Sequence, residues 1–94
     1  SRGMTVVTPT HMVVCTFKAG TDMAEVFAVR DAEQAAALEL QAAGALGTIR
    51  LALARGTVFL EVHAADDAGA RAVVEQLPMA RWWDLDVFPL GLPG

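Results

Sequence analysis

Two short apolar runs, Leu46 to Ala54 and Thr57 to His63, stand on either side of Arg55-Gly56, and this pair limits the possible fold more than any other feature of the chain. Runs of that length joined by so few residues make a β-hairpin, so antiparallel neighbours are expected mid-chain. Upstream, His11-Met12-Val13-Val14-Cys15-Thr16-Phe17 is rich in β-branched and aromatic residues, and Gly20 follows it. That composition predicts a strand. Between the two regions, Asp22 with Glu25 three residues later forms a capping box ahead of an alanine-rich segment. A helix of about five turns is expected from there to Gly44, its glycine stop.

Downstream of the hairpin, Asp66-Asp67 supplies carboxylates for the positive end of a second helix, which carries Ala70, Val73, Val74 and Leu77 on one side and ends at Pro78. Trp83-Asp84-Leu85-Asp86-Val87-Phe88 then alternates apolar with acidic residues, the period-two pattern of a strand with one wet face. The order is βαββαβ. It predicts an α+β, ferredoxin-like fold with a four-stranded antiparallel sheet. No composition break divides the chain, so residues 1–94 read as one domain, with 11–90 as the domain proper. Residues 1–10 read as a loose leader, and Ser1-Arg2-Gly3-Met4 resembles a cloning remnant before a native Met.

The hydrophobic fraction of 54% is more than one sheet and two helices need to cover themselves, which predicts a homodimer or a higher homo-oligomer. No run approaches the ~18 uninterrupted apolar residues of a membrane span, since Asp31, Arg50, Arg55 and Glu61 interrupt the candidates. A membrane partner is not expected. Net charge −4 with scattered basic residues offers no footprint for a phosphate backbone, so nucleic acid is not expected either. The lone Cys15 lies within a strand, and no charged-then-apolar signal segment is found, so a reducing, cytoplasmic location is expected.

In the third strand Val58, Leu60 and Val62 are the aliphatic, helix-facing set, which turns Thr57, Phe59, Glu61 and His63 away from the helices. Trp83, Leu85 and Val87 face the helices in the last strand, with Asp84, Asp86 and Phe88 opposite. In the second strand Thr48, Arg50, Ala52 and Ala54 are assigned to the open face, unless a bulge inverts the parity. Aromatics mixed with opposite charges on that face suit a lined cavity under a second copy; the plainer reading is a solvated sheet face. On the long helix, Val26, Val29, Ala36, Leu40 and Ala43 form an inward stripe with Glu33 in its middle. A carboxylate there has a raised pKa and can shuttle protons, or else it turns to solvent or pairs with Arg30 or Arg50.

The closing segment, Leu77-Pro78-Met79-Ala80-Arg81-Trp82-Trp83-Asp84-Leu85-Asp86-Val87-Phe88-Pro89-Leu90, resembles that of muconolactone isomerases, as do Phe59-Leu60-Glu61-Val62, Gly44, and Thr16-Phe17-Lys18 with Asp22-Met23. The resemblance spans nearly all of residues 12 to 90. It implies a dimeric α/β barrel and a cofactor-free enzyme that shifts a proton within a small unsaturated lactone, with Glu33 matching an acid on the family's first helix and Asp84 and Asp86 its acidic pair. The second strand departs from the family, because Leu46-Gly47-Thr48-Ile49-Arg50-Leu51 keeps only Arg50 of a basic and aromatic cluster. A related lactone, enone or polyketide-like carbonyl compound is therefore as plausible a substrate as muconolactone.

The expected catalytic set is Glu33 as base, Arg50 to hold a carboxylate or an enolate, and His63 to return the proton, although His63 at a strand end reads more readily as a surface residue. Phe59, Glu61, Asp84, Asp86 and Trp82 are the substrate-binding candidates, whereas Trp83 alternates with Leu85 and Val87 and reads as packing. His11, at the strand's frayed start, is a weaker candidate than His63. Neither histidine joins Cys15 in a close metal-ligand spacing, and no nucleophile triad, phosphate loop or dinucleotide fingerprint occurs; neither a metal nor a cofactor is expected. Two further readings remain open. One is a cofactor-free monooxygenase, and the other is a binding or assembly module that has lost its chemistry.

Overall fold

The structure is a computed structural model that describes residues 8–93. Strands β1 (His11–Phe17), β2 (Leu46–Ala52), β3 (Thr57–Val62) and β4 (Trp83–Pro89) form one antiparallel sheet in the order β2-β3-β1-β4. With helices α1 (Met23–Ala28), α2 (Arg30–Ala42) and α3 (Asp67–Glu75), this is the ferredoxin-like arrangement that the sequence predicts. Thr10, counted with the leader on sequence grounds, is tied in by its N–H to Val62 O at 2.9 Å, and its carbonyl accepts Leu90 N–H. The remaining leader residues before Thr8 lie outside the described residues.

The single long helix expected before Gly44 is two helices, broken at Val29, where φ is −104° and ψ 11°. No proline or glycine marks the break. A tight bond from Val29 N–H to Val26 O ends α1, and Glu33 N–H restarts the ladder on Val29 O at 2.8 Å. A β-branched valine is only a weak signal for such a break, because its restricted χ1 lowers helix propensity by tenths of a kcal/mol. Asp22 caps α1 by accepting Ala24 N–H at 2.9 Å, and Asp66 caps α3 through Gly69 N–H at 2.7 Å.

The hairpin forms, but β2 stops two residues earlier than expected and a 3-10 turn over Leu53–Arg55 completes the connection. Gly56 closes it at φ 55°, a left-handed conformation that L side chains resist. Register shifts by one between Leu46↔Val62 and Ile49↔Leu60, so Gly47 and Thr48 together oppose Glu61 in a bulge. Beyond the bulge Arg50 pairs with Phe59 and Ala52 with Thr57, which keeps both on the open face.

Val13, Cys15, Val58, Leu60 and Val62 cover the helix side of the sheet, and Ala37, Ala70, Val74 and Leu77 pack down on them. The inward stripe holds at Val26 and Leu40, but Ala37, four residues past Glu33 and three before Leu40, takes the buried place expected of Ala43, which is the exposed C-cap of α2. No helix of the described residues is long and apolar enough to cross a membrane.

Candidate active site

The break at Val29 lets α1 and α2 line one cavity of about 580 Å³ between the helices and the sheet. Val58 and Leu60 of β3 form its floor with Ile49 and Leu51 of β2, and Phe17 and Trp83 close one end. Val26, Phe27, Ala37 and Leu38 form the roof. Polar groups are few: Arg30, Glu33, Gln34 and Gln41, all from α2. Gln41 is already committed, donating to Gly47 O at 2.9 Å. The mouth is apolar and open to solvent, with Phe27 64% and Leu53 80% exposed. Part of the apolar excess seen in the composition is therefore spent around this opening.

Glu33 is the one acidic group in the cavity wall among the described residues. It is half-buried, and its Oε1 accepts the backbone N–H of Met79 at 2.8 Å. Burial raises its pKa above the ordinary 4.5, while the Met79 bond pulls the other way without cancelling the shift. Its charge also reaches Cys15 in β1: burial first, and Glu33 second, push the Cys15 thiol up to about 12. A carboxylate is thus held over the middle of the sheet, where an uncharged form is favoured more than in water.

The other expected catalytic residues stand elsewhere. Arg50, Phe59, Glu61, Asp84 and Asp86 share the open face, on the far side of the sheet from Glu33. Within one chain the structure does not bring Arg50 to Glu33; the cation in the cavity wall is Arg30, which helical spacing placed beside Glu33 only as a possible ion-pair partner. His63 is exposed past the end of β3 with Nδ1 3.1 Å from Thr8 O. Trp82 is outside the cavity wall and lies under the Arg81 guanidinium, 4.0 Å from the ring centroid.

Trp83 packs as expected, edge-on to Phe17 at 5.9 Å, but it is also a cavity wall residue. It is only 5% exposed, and its Nε1 is the one buried side-chain nitrogen or oxygen of the described residues with no hydrogen-bond partner. An orphaned donor of this kind costs about 1–3 kcal/mol. Period-two reading placed the indole inward but carries no information on what its N–H meets.

His11 is not frayed. It is 5% exposed, with Nε2 3.0 Å from Asp67 Oδ1 and Nδ1 2.7 Å from Thr10 Oγ1. Thr10 Oγ1 in turn accepts Ala64 N–H at 2.9 Å, so the trio pins β1 to the start of α3. The chain resembles a hydroxyl–imidazole–carboxylate relay there, but it borders no part of the cavity. No group of three or more His, Cys, Asp or Glu among the described residues is placed to hold a metal ion.

Fold and cavity define a small ferredoxin-like protein with a single acid in an apolar pocket between helices and sheet. The family follows from comparison of sequences: the muconolactone delta-isomerase family model matches residues 10–92, and the chain belongs to that family. No curated protein matches the chain.

Proposed function

We propose that the protein is an isomerase-type enzyme that moves a proton within an unsaturated lactone or carbonyl compound, with Glu33 as the proton carrier. The observation that carries this reading is a carboxylate set in an apolar cavity with its pKa raised by burial. Glu33 takes a proton from the carbon beside the carbonyl, and the electron pair moves into the carbonyl to give an enolate. After exchange of the Glu33 carboxyl proton with solvent, a proton returned to a different carbon of the conjugated system shifts the double bond. Arg30 is the cation available to steady the enolate or to hold an acid group at the mouth. This sequence consumes nothing besides substrate and needs no cofactor.

In the same reading two copies meet through their open sheet faces as a dimeric barrel. Charge complementarity supports it, because Arg50 lies at the β2 edge of that face while Asp84 and Asp86 lie at the β4 edge. Each end of the face therefore matches the other end of a second copy.

Muconolactone and β-tetralone, incubated in deuterated buffer, test the chemistry. The expected result is enzyme-dependent deuterium at carbon, lost in Glu33→Gln. Oxygen consumption without exchange would replace this reading with a monooxygenase, and binding with neither would leave a non-catalytic module.

A further inference from the structure

Leu77-Pro78-Met79 follows α3 and delivers a backbone donor to the cavity. The coming proline holds Leu77 extended, at φ −78° and ψ 134°, and then opens a 3-10 turn over Pro78–Trp82. In such a turn each N–H bonds three residues back, and the first of these bonds runs from Ala80 N–H to Leu77 O at 3.0 Å. Met79 N–H therefore has no acceptor in its own turn. Its acceptor lies on α2, where Glu33 Oε1 takes it at 2.8 Å. A carboxylate from a distant part of the sequence thus caps the turn.

Nothing in α2 itself obliges Glu33 to point there. Arg30 stands one turn earlier, at the spacing where Arg and Glu pair on a helix, yet the one ion pair of the described residues is His11 with Asp67. The cavity mouth is open, so solvent is another destination for the carboxylate. Burial disfavours the charged form inside the wall, and the Met79 bond is what works against burial. A hydrogen bond to an ionised acceptor is about twice as strong as one between neutral groups.

Resting on the reading of Glu33 as the proton carrier, we propose that Met79 is a positioning residue: its N–H, presented by the turn that Pro78 opens, keeps the ionised Glu33 carboxylate inside the cavity instead of turned out to solvent. The charged or titratable groups that face Glu33 are Arg30 from its own helix and the Cys15 thiol from β1. From α1, β2, β3 and β4 the cavity wall receives uncharged side chains only. Arg30 is the one cation that a released carboxylate would approach.

Replacing the Met79 amide by an ester, with the hydroxy-acid analogue of methionine in the full chain, removes the N–H and keeps the side chain. The Glu33 carboxyl carbon, followed by carbon-13 resonance, is then expected to titrate lower than in the parent, towards the ordinary 4.5. Deuterium exchange on β-tetralone is expected to fall about a hundredfold at every pH, as misplaced reacting groups do. A carboxylate that stayed in place would lose a stabilising donor and titrate higher. A raised or unchanged midpoint would therefore overturn the proposal. In the unaltered protein the Met79 N–H resonance is expected to move downfield with the same midpoint as the Glu33 carboxyl, and a resonance that ignores that titration would overturn the proposal too. This second measurement stands even where the ester folds poorly. Both titrations need no substrate, so the expected midpoints beside a parent that exchanges no deuterium would refute the proton transfer and leave the positioning role standing.

Discussion

The Glu33 carboxylate on α2 accepts the N–H of Met79, 2.8 Å away, in the turn that follows α3. This bond fixes one carboxylate oxygen against the chain and leaves the other for a ligand. It also stabilises the ionised form, yet burial prevails and the pKa stays raised. A carboxylate whose pKa is raised is a stronger base than a free one, and it is better matched to proton transfer near neutral pH.

Exchange of substrate protons should therefore rise with pH along a limb above the ordinary carboxylate value of 4.5. Glu33→Gln should remove that limb and lower the rate by about a hundredfold to ten-thousandfold. A pH-rate profile in deuterated buffer measures both. A limb that persists in the Gln variant would assign the proton transfer to another group.

Stability should move in the opposite sense to activity. Between 4.5 and the raised value in the fold, the native state binds more protons than the unfolded chain, so stability falls as pH rises through that window. Glutamine keeps an oxygen for Met79 and carries no charge. Urea titrations are expected to find Glu33→Gln more stable than the parent at neutral pH, with the difference gone below 4.5. A variant less stable at neutral pH would mean that the charge is solvated better than its burial implies.

Most of the architecture was legible because strand and helix periods are local. The alternation at Trp83–Phe88 sorted β4 into its two faces, and Val58, Leu60 and Val62 sorted β3. The cavity was not legible. Its wall is gathered from β1, α1, α2, β2, β3 and the start of β4, residues far apart in sequence that only the tertiary fold brings together. Helical spacing put Glu33 on the inner side, but it could not say that the β2 and β4 charges face the opposite way from it. The burial of His11 was missed for a similar reason, since Asp67 lies 56 residues away in sequence.

The Thr10, His11 and Asp67 network should be structural. Thr10→Val removes the acceptor of Ala64 N–H and a hydrogen-bond partner of His11, so a loss of about 1–3 kcal/mol is expected in urea unfolding. Asp67→Asn should cost less, about 0–1 kcal/mol, because that side chain is 65% exposed. Neither change should alter exchange kinetics at saturating substrate. A large fall in turnover with normal stability would reopen a catalytic role for this trio.

Cys15 should be silent in the native state. With its thiol pushed up to about 12 and no exposed surface, it offers almost no thiolate at neutral pH. Alkylation by iodoacetamide should wait for unfolding and accelerate with urea in step with loss of structure. Rapid labelling without denaturant would show that β1 opens locally far more often than a central strand should.

The open sheet face allows the sharpest test of assembly. Arg50, Phe59, Val14 and Asp86 lie in one row across β2-β3-β1-β4. A twofold axis parallel to the strands lays β2 over β4 of the other copy and keeps the row level, so Arg50 meets the partner's Asp86 while Phe59 meets the partner's Val14. An axis across the strands would set the two Arg50 side chains against each other, a pairing that like-charge repulsion disfavours. Sedimentation at micromolar concentration should find no substantial monomer in the parent. Arg50→Glu or Asp86→Arg alone should weaken association by about 2–5 kcal/mol, and the double variant should recover most of it. A monomeric parent, or a double variant no better than the singles, would remove this face from the assembly and leave its charges to solvent.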